Sequence, residues 1–144
     1  MSRPLALILA VAVALGGIVT DALVVSPAVA GATPSPHIVA RPNSIMVNGT
    51  TKLTGKHFAA SKRITIEECA QSTWVVMSNP CDSTNTIHVK TDSQGQFQAV
   101  FKVQTCFANP TPGFSQTCYI GEPLPSGVDT VTLTGAATIT VTGP

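Results

Sequence analysis

The chain has 144 residues, of which 44% are hydrophobic and 10% charged, with a formal net charge of +1. Its local basic groupings are Lys52/Lys56 and Lys62/Arg63, weak support for nucleic acid or an anionic membrane as a partner. The three histidines, His37, His57 and His88, stand at no metal-ligand spacing to one another or to a cysteine pair, so no metal and no cofactor is expected.

The amino terminus reads as an export signal. Arg3 supplies a short positive region, residues 5–19 are apolar, and Ala28-Val29-Ala30 gives the small-x-small pattern of a cleavage site. An apolar run of about fifteen residues is short of the roughly twenty that span a bilayer as a helix. Cleavage after Ala30 would secrete a chain of 114 residues from the 144, one domain with a modest core. Arg3 and Asp21 leave with the signal, so seven Lys and Arg remain against six Asp and Glu. Residues 31–36 form a flexible leader, and residues 37–144 the domain. A monomer with no membrane segment is expected outside the cell.

From residue 37 the pattern is short strands and turns. Residues 37–41 are extended and end at Pro42-Asn43-Ser44. Residues 45–47 run into Asn48-Gly49, a strong tight-turn dipeptide that also opens a glycosylation acceptor with Thr50. Residues 50–54 resume as a strand, and Gly55 marks a turn or bulge. Residues 62–70 alternate clearly. Ile64 and Ile66 share one face; Arg63, Thr65, Glu67 and Cys69 share the other. Unless a bulge at Glu67-Glu68 flips the phase, Cys69 lies on the outer side of its sheet.

Residues 73–77 are apolar on both faces, which predicts a central or covered strand. Residues 86–91 place Ile87 and Val89 inward, with His88 and Lys90 outward. A turn at residues 92–95 leads to a strand with Phe97, Ala99, Phe101 and Val103 inside. A long polar loop over residues 107–117 carries Phe107 and Phe114. Residues 117–120 form a short strand, and Pro123, Pro125 and Gly127 a second loop. Residues 130–134 and 138–142 alternate threonine with apolar residues, and Gly135-Ala136 reads as the turn of a terminal hairpin. Seven to nine such strands, without a helical period, imply an all-β two-sheet sandwich.

Cys69, Cys81, Cys106 and Cys118 are an even set in an exported domain, hence two disulfides. Equal separations favour Cys69–Cys81 and Cys106–Cys118, each closing a loop of about a dozen residues. No nucleophile elbow, phosphate loop or His-Glu-x-x-His motif is present in the sequence. Glu67 and Glu68 are adjacent on a strand and point to opposite faces, one solvated and one near a sheet edge, so they make no acid–base pair. The chain reads as a non-enzyme. Apolar residues beyond the needs of the core are Trp74, Val76, Phe107, Phe114 and Tyr119, around Cys69 and Cys81 and the second disulfide. They are the candidate lining of a cleft for a small hydrophobic ligand. Trp74 fits either a cleft or the sandwich core, and Phe114 a surface contact. The alternative is a structural or protein-interaction domain with a filled cleft and an exposed apolar patch near Phe107 and Phe114.

Several segments, in order, carry a family resemblance. Residues 39–42, Asn48-Gly49-Thr50 and Leu53-Thr54-Gly55 are similar to an opening strand, tight turn and second strand. Glu68-Cys69-Ala70, Asn79-Pro80 beside Cys81, Asp92-x-x-Gly95 and Cys118-Tyr119-Ile120-Gly121 follow. Over residues 37–142 this order resembles the neocarzinostatin family, the actinobacterial apoproteins of enediyne chromoprotein antibiotics. The resemblance implies a seven-stranded, immunoglobulin-like Greek-key sandwich. It also implies a deep cleft holding a labile aromatic chromophore that cleaves DNA once released. Members are also described as DNA-binding and antimicrobial. The cleft floor carries over to Cys69 and Cys81, and to Trp74. The chain departs from the family in three places: Cys81 follows Asn79-Pro80 instead of preceding it, Gln71 replaces a tryptophan, and the second disulfide loop is longer.

Overall fold

The computed structural model describes residues 33–104, 106 and 112–144. The segment expected to be an export signal, residues 1–30, and Phe107 lie outside them. Nine strands form: β1 (His37–Arg41), β2 (Ser44–Met46), β3 (Thr50–Lys56), β4 (Arg63–Cys69), β5 (Thr73–Val75), β6 (Cys81–Lys90), β7 (Phe97–Lys102), β8 (Ser115–Pro125) and β9 (Thr130–Thr142). No helix forms among the described residues. β1, β3 and β7 make a three-stranded sheet, and β2-β9-β8-β4-β6 a second, with β5 also on β9. Pairing is antiparallel except between β2 and β9. The β1–β2, β2–β3, β3–β4, β6–β7 and β7–β8 connections cross between sheets, as in a Greek-key sandwich.

Period-two alternation builds the core. Leu53, Phe97 and Phe101 from the smaller sheet meet Ile64, Ile66, Ile120, Ile139 and Val141 from the larger. Burying such a side chain is worth about 1.5–3 kcal/mol. The Asn48-Gly49 turn forms with Asn48 at φ 66° and Gly49 N donating to Met46 O at 2.9 Å.

Several expected features differ. Gly55 marks no turn or bulge: it is paired in register with Ile38 and Phe97 inside β3, where an added Cβ would overlap the Phe97 ring. β5 is not central and only one of its faces is covered: it pairs with β9 alone, Trp74 is buried, and Val75 and Met77 are 53% and 96% exposed. β8 runs on through the proline-rich segment expected as a loop. Ser126 N donates to Thr130 O at 2.9 Å, and alternation from that pair turns the Pro123 and Pro125 nitrogens away from β9. β4 pairs with β8 no further than Gly121, so neither ring removes a ladder hydrogen bond. Finally, Gly135-Ala136 does not turn a hairpin. It lies inside one long strand, β9, opposite Gly121, as a bulge with Gly135 at φ 67°.

Candidate functional site

That bulge gives β9 two different faces. Beyond it Ala137, Ile139 and Val141 point into the sandwich core. Before it Val131 and Leu133 point to the opposite, outer side of the larger sheet, because one extra residue reverses the phase. The first half of β9, flanked by β5 and the end of β8, forms a three-stranded ribbon. Trp74 stands beside Val131 on it.

β4 keeps its phase from Ile64 to Cys69, so Cys69 faces outward as the alternation predicts. The irregularity falls on β6, where Asp82 to Asn85 are set against the single residue Glu68. Cys69 and Cys81 are partners across β4 and β6 and are disulfide-bonded. Together these features build a second apolar cluster outside the sandwich core. Cys69, Trp74 and Leu133 form its buried floor, with Cys81, Tyr119, Val131 and Ala136 half-buried around them.

Glu67 stands at the edge of this cluster, with a carboxylate oxygen within 4.8 Å of the Cys69 and Cys81 sulfurs. Partial burial pushes its pKa up from the usual carboxylate range. A mostly apolar lining with a few hydrogen-bonding groups, here the Glu67 carboxyl and the Tyr119 hydroxyl, is the ordinary chemistry of a small-molecule site. Its sulfurs are tied in a disulfide and offer no thiolate to a metal.

The other candidate residues are dispersed. Cys106 and Cys118 are bonded, but both belong to the sandwich core. Cys106 follows β7 of the smaller sheet and Cys118 lies in β8 of the larger, so this bridge ties the two sheets together. The two disulfides therefore do not wall one cleft. Phe114 packs against the sandwich core, and its backbone pairs with Gly143. Val76 lies just past β5, 54% exposed.

Glu68 is a correction. It is neither solvated nor at a sheet edge: β4 is flanked by β6 and β8, and Glu68 is fully buried on the core side. Asn85 Nδ2 donates to its Oε2 at 2.9 Å and Gln104 N at 2.8 Å, while Oε1 is buried without a partner. Burial raises its pKa, the two hydrogen bonds oppose that, and nearby Asp82 adds to it. Sequence reasoning also missed Val131, Leu133, Ala136 and Glu67 as cluster residues. The signal was Gly135, read as a turn instead of a phase change.

No family model matches the chain, and no curated protein matches it. Among solved structures it is similar to macromomycin, with a TM-score of 0.45 and 20% identity, covering 76% of this chain and 100% of that chain. Macromomycin belongs to the neocarzinostatin family that the sequence resembles.

Proposed function

We propose that the chain is an exported, non-enzymatic binding protein that holds a small hydrophobic or aromatic ligand against the outer cluster. The supporting observation is the cluster itself: a second apolar assembly, beside Cys69–Cys81, which the sandwich core does not use. Trp74 and Leu133 are its floor, Tyr119 and Val131 its apolar contacts, and Glu67 its polar anchor. Two disulfides suit a protein that works outside the cell. Glu67 and Glu68 point to opposite faces of β4 and share no substrate position, which favours binding over hydrolysis.

Trp74 is the chain's single tryptophan, so its fluorescence reports this site alone. Titrating the purified protein with the neutral aromatic probe N-phenyl-1-naphthylamine should quench Trp74 saturably. Val131→Ser should weaken that binding about tenfold, the loss of one good apolar contact, with an unchanged fold by circular dichroism. Non-saturable quenching, or equal binding by the variant, would overturn the site.

A second reading has its own observation. Val75, Val76, Met77 and Val128 are all more than half exposed. Val76 N donates to Asp129 O at 2.9 Å, which brings their two turns together at the ribbon tip. Such a patch suits a protein contact.

A further inference from the structure

The outer face of the smaller sheet carries charge of one sign. Its exposed positions, read from the strand registers, are His37 beside Lys56, Val39-Thr54-Gln98, Arg41-Lys52-Val100, and Thr50 beside Lys102. Four of the seven Lys and Arg beyond residue 36 therefore share this face: Arg41, Lys52, Lys56 and Lys102. No carboxylate among the described residues does. Glu67, Glu68 and Glu122 lie on strands of the other sheet, as does Asp82, while Asp92 and Asp129 are in turns. The remaining cations, Lys62, Arg63 and Lys90, gather near one end of the larger sheet, whose outer face also bears Glu67.

Arg41 and Lys52 are direct cross-strand neighbours, an arrangement that places like charges about 5 Å apart at Cβ and is unfavourable without a counter-charge. Lys102 sits diagonally from Lys52 across β7, about 7–8 Å away by the same geometry. Lys56 extends the row about 13 Å along β3. Between the cations lies a shallow depression of about 360 Å³, lined by Lys52, Thr54, Gln98 and Val100 among others.

We propose that this face binds a linear acidic polysaccharide. The clustered cations supply the charge complementarity. Thr50, Thr54 and Gln98 offer neutral donors and acceptors for sugar hydroxyls. Val39 and Val100, 41% and 62% exposed, suit the C–H faces of sugar rings. Two features disfavour nucleic acid. Among the described residues the face has no Phe, Tyr or Trp on which a base could stack, and its one imidazole, His37, stands at the end of the sheet beside the ring of His57. It is a broad sheet with no helix or two-stranded ribbon projecting to enter a major groove.

Isothermal titration of the full protein with size-defined heparin fragments tests this, with duplex DNA and anionic phospholipid vesicles at the same ionic strength as rival occupants. Heparin should bind saturably. The variant R41Q/K52Q/K102Q should bind at least about tenfold more weakly and lower the slope of log K against log salt by roughly two to three. R63Q/K90Q should behave as wild type. All five positions are exposed, and thermal melts should confirm that both variants fold. Equal weakening by the two variants, or tighter binding of duplex or vesicles than of heparin, would overturn the proposal.

Discussion

Glu68 is held between β4, β6 and the end of β7 by Asn85 and Gln104, while its second oxygen meets no donor. The folded chain therefore favours its acid form, and its pKa stands above the usual value of 4.5. For a raised carboxyl, the fold binds more protons than the unfolded chain between the two pKa values. Its contribution to stability is full below about 4.5 and is lost as pH rises through the higher folded value. Glu67 and Glu122 shift the same way, through burial. Glu68→Gln keeps an acceptor for Asn85 and Gln104 and removes the charge. It should flatten the decline in stability between pH 4.5 and 8 and be at least as stable as wild type at pH 7. Glu68→Ala leaves Gln104 N unmatched and Asn85 Nδ2 with Lys102 O as its one acceptor, and should cost about 2 kcal/mol or more. Urea melts across that range decide it, and a steeper decline in the Gln variant would refute the assignment.

The bulge in β9 shows what a single element contributes. Gly135 has φ 67°, and an added Cβ would lie 2.8 Å from Phe58 Cζ and 3.2 Å from His37 Cα. Gly135→Ala should therefore cost about 1–3 kcal/mol, combining left-handed strain with displacement of Phe58. It should also disturb Trp74 emission, because the phase of Val131 and Leu133 depends on the bulge. A melt and spectrum identical to wild type would contradict this role.

The same element marks the limit of the sequence reading. β1, β3, β4 and β7 were legible because each has one buried and one wet face, so apolar residues recur at period two. The Gly135 signal was also legible, but a left-handed glycine serves a bulge as well as a turn. Which one forms depends on whether the flanking residues pair with each other or with β8. Trp74 was ambiguous because its partners, Leu133 and Tyr119, are remote in sequence. The basic face was hidden for the same reason: Arg41, Lys52 and Lys102 become neighbours through strand register alone.

At the scale of the whole molecule, each disulfide belongs to a different apolar cluster. Both close the same separation of 12 residues, so the chain-entropy contribution is similar, roughly 3 kcal/mol each. Any difference between them must come from the native state. Cys106–Cys118 fills space between the sheets, so Cys106→Ala/Cys118→Ala should leave a hole there and lower the melting temperature of the whole sandwich. Trp74 emission in the folded state should stay as in wild type. Cys69–Cys81 joins two paired strands and floors the outer cluster. Cys69→Ala/Cys81→Ala should shift Trp74 emission to the red well below the temperature at which the far-ultraviolet signal is lost, because the ribbon loosens before the sandwich opens. Coincident transitions by both probes in that variant would mean that the two clusters unfold as one unit. The ligand site proposed above would then share the rigidity of the core.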